Sequence, residues 1–155
     1  MNHPPSNRPV GRPVGRNPTP VDWATASRDH LQDAEILLAA RSFRSAYIHA
    51  GHAIEFALKA RIMRDEGLNR WPSFGERREL HTHNLTDLLT IARLRIKIES
   101  EVALGSPLGF AWMVVKDFDI NHRYPDGQVF PWRVATDFVE AARDGGVVEW
   151  LIKGI

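Results

Sequence analysis

The residues best equipped for chemistry fall between positions 117 and 124. Asp117, Asp119, His122, Arg123 and Tyr124 place two carboxylates, an imidazole, a guanidinium and a phenol within eight residues. An imidazole titrates near neutral pH and can pass a proton, and a guanidinium can hold a phosphate by two parallel hydrogen bonds. Those are the parts of a metal-free ribonuclease site, where a base activates the ribose 2′-hydroxyl and cations stabilise the pentavalent phosphorane. The plainer reading is an i,i+4 ion pair between Asp119 and Arg123 with His122 capping a helix end, and residue types alone favour it.

Two histidine pairs are the other candidates. His49-x-x-His52 has a three-residue step that, on a helix, brings both rings toward one surface, with Glu55 one step further along as a third ligand. The surrounding alanines favour histidines that pack between helices. His81-x-His83 precedes a helix start, where capping and solvent exposure account for it. No metal site and no cofactor is expected from these patterns.

Composition narrows the classes. The chain has 155 residues, 43% hydrophobic and 25% charged, which fits one soluble globular domain. The absence of cysteine excludes thiolate catalysis, Cys-based zinc sites, iron–sulfur clusters and redox switching. Arg8, Arg12 and Arg16 are the only charged residues of positions 1–20, and without them 17 basic residues face 19 acidic ones, so the remainder carries −2. General phosphate affinity is therefore not spread over the domain and must come from a local site, the tail or an oligomer. No run approaches the ~18 apolar residues that span a bilayer, so no membrane association is expected. Positions 1–20 lack the apolar core of a signal peptide, and the cytoplasm is the expected compartment.

The elements that must position these groups read as helices. Residues 1–20 hold six of the ten prolines and an Arg-Pro-Val-Gly repeat, which predicts a disordered arm followed by one helical domain over 21–155. Asp22 is a plausible N-cap for a helix running to about Arg41. A second helix follows from Phe43, with Gly67 as its C′ residue, and so short a link makes the two antiparallel. Trp71 and Phe74 are expected to pack a turn-rich loop onto the bundle. Asn84 opens a third helix running to about Leu104, and Gly105, Ser106 and Pro107 close it and open a fourth. Pro125 ends the fourth region with Tyr124 extended, and a final helix is interrupted at Gly145-Gly146. The predicted fold is all-α, an antiparallel bundle of four to five helices. Trp112, Phe118, Phe130, Trp132 and Trp150 offer more aromatic surface than a small bundle hides, which points to a homodimer.

Three stretches carry a resemblance. They are Asp33-Ala34-Glu35 with Leu37-Leu38 and the run from Ser45 to Ala60, then His83-Asn84-Leu85, then Arg123-Tyr124-Pro125-Asp126. In that order, over about residues 22–153, the chain resembles a HEPN domain, a helical module linked to nucleotides and RNA. Catalytic members are metal-independent endoribonucleases whose motif is an Arg, four to six residues, then a His, often followed by any residue and a Tyr. His122-Arg123-Tyr124 matches the second half, but the positions where the Arg would stand hold Val115, Lys116 and Asp117. Lys116 supplies charge without the planar fork, and Asp117 repels a phosphate. By the resemblance, His122, Lys116 and Asp117 are the candidate catalytic positions, and Arg123 and Lys116 the candidate nucleotide or RNA contacts. Tyr124 is the candidate acceptor of AMP from a separately encoded minimal nucleotidyltransferase, as in toxin–antitoxin versions. The resemblance thus implies a non-catalytic or degenerate module that binds a nucleotide, RNA or that partner. The alternative is a metal-independent endoribonuclease toxin using His122.

Overall fold

The computed structural model describes residues 17–155, which form seven α-helices and two short 3-10 segments with no strand among them. The first helix, α1 (Pro20–Ala39), begins where Thr19 and Asp22 close a capping box: the Thr19 hydroxyl accepts from the Asp22 N–H and the Asp22 carboxylate accepts from the Thr19 N–H. Thr19, rather than Asp22, is therefore the cap, and Pro20 takes a first-turn position whose N–H would lack a helical partner anyway. The arm expected over residues 1–20 lies, through residue 16, outside the described residues.

Arg41, at φ 62, reverses the chain into α2 (Phe43–Asp65), which packs against α1 along its length. Ala46, Tyr47, Ala50, Gly51, Ile54 and Leu58 are among the many buried positions of α2, which is apolar around most of its circumference and so occupies the centre of the bundle. Gly67, at φ 63, ends it as expected, with the Leu68 N–H reaching back to the Met63 carbonyl and the Gly67 N–H to that of Arg64. In the following loop Trp71 packs on the core edge-on to Trp23, but Phe74 is 56% exposed, with its ring against the loop's own His81 and Arg78.

Two of the predicted helices are each divided. Asn84 caps α3 (Leu85–Ile91) by accepting from the Asp87 N–H, yet Arg93 at φ 58 breaks the run, and α4 (Arg95–Leu104) starts afresh. Gly105 at φ 62 and the Ser106 cap then lead into α5 (Pro107–Val115). After the corner described below, α6 (Trp132–Arg143) and α7 (Val147–Ile152) are separated by Gly146 at φ 77. A Cβ on the adjacent Gly145 would stand 2.4 Å from that of Ala111, so the glycine pair both breaks the helix and admits α5. The all-α bundle is as predicted, with seven helices where four to five were counted. No helix among the described residues is long and apolar enough to cross a membrane.

Candidate functional site

The cluster from Lys116 to Asp126 forms one corner between α5 and α6, and α2 holds it in place. Phe118 is buried against α2 in a notch that only glycine leaves open, since a Cβ on Gly51 would lie 2.0 Å from its ring. The Tyr47 hydroxyl accepts from the Asp119 N–H at 2.9 Å, and burial, ahead of the nearby carboxylates, pushes that phenol above its ordinary pKa. Asp119 caps the 3-10 segment Ile120–Arg123 by accepting from the Asn121 N–H. Tyr124 follows in extended conformation, as its place before Pro125 requires.

Arg44, which no sequence motif singled out, secures the far side. Its guanidinium donates to the carbonyls of His122 at 2.9 Å and Gln128 at 3.0 Å and to the Asp126 carboxylate at 3.0 Å, while lying over the Phe130 ring. The Gln128 N–H and then Arg44 hold the Asp126 carboxyl below its ordinary pKa. One side chain on α2 thus satisfies backbone carbonyls of a loop eighty residues away in sequence, and no local pattern marks it.

The predicted site residues lie together here, in an arrangement of their own. The His122 ring stands edge-on to Tyr47 and to Phe130, each centroid 5.5 Å away, and neither ring nitrogen has a hydrogen-bond partner among the described residues. Lys116 is bound by its neighbour Asp117 at 2.9 Å. The predicted Asp119–Arg123 pair does not form, because a 3-10 turn of three residues does not bring positions i and i+4 onto one face. Arg123 instead lies over the ring of Tyr124, 4.7 Å from its centroid, and donates to its hydroxyl at 2.7 Å. Nor does His122 cap a helix end: the C-cap of α5 is Lys116, and His122 lies within the 3-10 segment, whose own C-cap is Tyr124. Beside the corner, Lys116, Asp117, Arg95, Trp112 and Met113 line a cleft of 590 Å³.

The aromatic surface is redistributed. Trp112 and Phe118 belong to the core at 4% and 7% exposure, and the exposed apolar residues near the corner are Phe110, Met113 and Val114 of α5 with Trp132 and Val134 of α6. Val114 and Val134 line one cleft together with Asp117 and Asp137, which brings the exposed apolar residues of the two helices side by side with carboxylates between them.

The histidine pairs separate differently from their spacing. His49 Nδ1 meets His30 Nδ1 of α1 at 3.0 Å, with Asp33 close by, rather than joining Glu55. Burial, then His49 and His52, pulls the His30 imidazole below its ordinary pKa. Glu55 is shared instead by His52 and His83, and His81 bonds the Pro72 carbonyl at 2.8 Å. His83 is exposed ahead of the Asn84 cap, as expected, but it also bonds the buried Glu55. His30 was invisible in sequence because its partners lie on another helix.

A family model described as the HEPN domain matches residues 21–154. No curated protein and no solved structure matches the chain significantly.

Proposed function

The chain belongs to the HEPN domain family of nucleotide- or RNA-binding and ribonuclease-type modules, and from that premise we propose a homodimeric module that binds a nucleotide or RNA at the Lys116 to Asp126 corner and associates with a minimal nucleotidyltransferase, as in toxin–antitoxin pairs, without cleaving RNA. The observation that carries this reading is the pairing of Lys116 with Asp117 at 2.9 Å, which neutralises the cation standing where the family motif has its Arg. His122 points the same way, since a general base is normally oriented by a further polar group and its ring meets only aromatic edges. Binding demands less than cleavage. The exposed Arg123–Tyr124 stack offers a guanidinium for a phosphate, and the neighbouring 590 Å³ cleft has the size of a small-ligand site. The apolar face of Phe110, Met113, Val114 and Val134 supports self-association close to the corner.

The test is incubation of the purified chain with structured and single-stranded RNA in EDTA, alongside fluorescence anisotropy with labelled RNA and labelled ATP. Binding without cleavage is expected. Cleavage that disappears in His122→Ala overturns the reading in favour of the endoribonuclease. Light scattering should report a dimer that Phe110→Asp converts to monomer, and a monomer for the unmodified chain at micromolar concentration removes the paired corner. Co-expression with a minimal nucleotidyltransferase should add AMP to Tyr124: its hydroxyl oxygen attacks the α-phosphorus of ATP, pyrophosphate leaves and the phenolic proton passes to solvent. Intact mass should show that adduct lost in Tyr124→Phe.

A further inference from the structure

A second group of functional side chains, unused by the corner, surrounds Glu55 on α2. Glu55 is 1% exposed, and its Oε1 accepts from Lys59 Nζ at 2.6 Å. Its Oε2 lies 2.8 Å from His83 Nδ1 and 3.6 Å from His52 Nδ1. The second distance is too long for a hydrogen bond, and His52 Nδ1 is a fully buried nitrogen with no hydrogen-bond partner. A buried polar atom left without a partner costs about 1–3 kcal/mol, which a native fold seldom leaves uncompensated. What His52 Nδ1 does face is a carboxylate oxygen and a second imidazole nitrogen, all within 4.8 Å of one another.

We infer that His52 Nδ1, Glu55 Oε2 and His83 Nδ1 bind a divalent transition-metal ion of the zinc class, leaving a further coordination position open toward solvent beside His83. Nitrogen and oxygen ligands about 2.0–2.2 Å from a tetrahedral ion stand roughly 3.3–3.6 Å apart, so the His52–Glu55 pair already has that separation and the His83 contact needs to open by roughly 0.5–0.8 Å. His83 can make that shift because its side chain is 46% exposed and precedes a helix cap. Two imidazoles with one carboxylate suit zinc, cobalt or nickel rather than magnesium or calcium, which prefer oxygen throughout. Glu55 is oriented in advance: Lys59 holds its other oxygen, and Lys59 itself lies 5.7 Å from the rings of Trp23 and Trp71. The Lys59 charge on the other carboxylate oxygen lowers the affinity relative to an unpaired Glu55. An ion here replaces the hydrogen bond between His83 and Glu55 and clips the start of α3 to the centre of the bundle.

The second histidine group, His30, Asp33 and His49, is the weaker candidate because its two Nδ1 atoms already bond each other and it contains no buried ligand. The test uses the full chain stripped with EDTA, titrated with Co²⁺ under visible absorption and with Zn²⁺ under calorimetry and thermal unfolding. One equivalent of Co²⁺ with the strong absorption of a four-coordinate site is expected. Zn²⁺ at a hundredfold excess over Kd should raise Tm by about 5–10 °C. His83→Ala and His52→Ala should each weaken binding at least tenfold, whereas His49→Ala leaves it unchanged. In the unmodified chain, the imidazole ¹⁵N signals of His52 and His83 should shift with substoichiometric Zn²⁺, a readout independent of how the variants fold. No binding at millimolar Co²⁺ overturns the inference. So does binding that survives His83→Ala but is lost in His49→Ala, and so does only weak six-coordinate absorption from adventitious surface histidines.

Discussion

Near the start of α2, Arg44 and Tyr47 reach out to hold a corner whose His122, Arg123 and Tyr124 face water, while a few turns further along the same helix His52, Glu55 and Lys59 lie against the interior. At the corner the helix supplies hydrogen bonds to the loop backbone and leaves the candidate side chains to solvent and to one another. Around Glu55 it supplies the charged groups themselves, Glu55 and Lys59 pairing within the helix while His83 joins from the approach to α3. A polar group at an exposed corner can be lost at small cost to the fold, because water replaces its partner. A buried one cannot. Gly51 lies between the two regions, with the Phe118 ring of the corner on it and His52 as its neighbour in sequence.

The sharpest way to break the comparison is Glu55→Ala, which strands Lys59 in a site where it is 8% exposed. Removing one partner of a buried ion pair costs about 3–5 kcal/mol, so urea unfolding should show a large drop in midpoint with little change in slope. Lys116→Ala at the corner should cost under about 1 kcal/mol, and equal losses at the two sites would erase the distinction.

The pH dependence of stability is the next largest effect. Burial by itself would raise the Glu55 carboxyl, but His52, Lys59 and His83 more than reverse this and hold it at about 2, below its ordinary 4.5. A carboxylate whose pKa is lowered in the folded state stabilises the fold above its unfolded value, so this contribution is present above pH 4.5 and is lost as pH falls from there toward 2. Unfolding in EDTA should show a loss of order 3 kcal/mol across that window, in which the exposed corner takes no comparable part. A chain equally stable at pH 5 and pH 2.5 would contradict the Glu55 network.

Gly51→Ala sharpens the comparison at the boundary. The new methyl group meets the Phe118 ring, and overpacking of this kind costs about 1–3 kcal/mol. Its effect should fall on the corner, visible as faster amide exchange from Phe118 to Tyr124. Arg44→Ala removes a clamp whose side chain is only 24% exposed and leaves the carbonyls it held to water, so global stability should fall by about 1–2 kcal/mol while protease cleavage between residues 122 and 128 accelerates. The smallest change is Asp117→Asn, which frees Lys116 and should tighten RNA or nucleotide binding by about 2–5-fold at low salt. Weaker binding would place Asp117 on the binding side of the corner.

Much of the fold was legible because its signals are local. Asn84, Gly67, Gly105 and Pro107 sit at the helix ends where their backbone chemistry places them, and Pro125 leaves Tyr124 extended. The family resemblance drawn from the same residues agrees with the match over residues 21–154. The helix break at Arg93 was not legible, since a left-handed arginine has no local signature. Of the aromatic residues expected at the surface, Trp132 is exposed, but Trp112 and Phe118 lie in the core, because they differ from Phe110 only in which side of the chain meets it.

Sequence alone determined that this is a cysteine-free helical bundle, mildly acidic after a basic N-terminal stretch, with His122-Arg123-Tyr124 preceded by Val115, Lys116 and Asp117 rather than by an Arg. Those properties depend on residue type and near-neighbour spacing, which the chain carries before it folds. Tertiary structure decided that Arg44 clamps the corner, that Asp119 and Arg123 stay apart, and that His52 and His83 meet at one buried carboxylate. Each of the contacts decided in this way joins groups from different elements or depends on the exact turn between them, so it exists only once the hydrophobic core has fixed how those elements sit against α2.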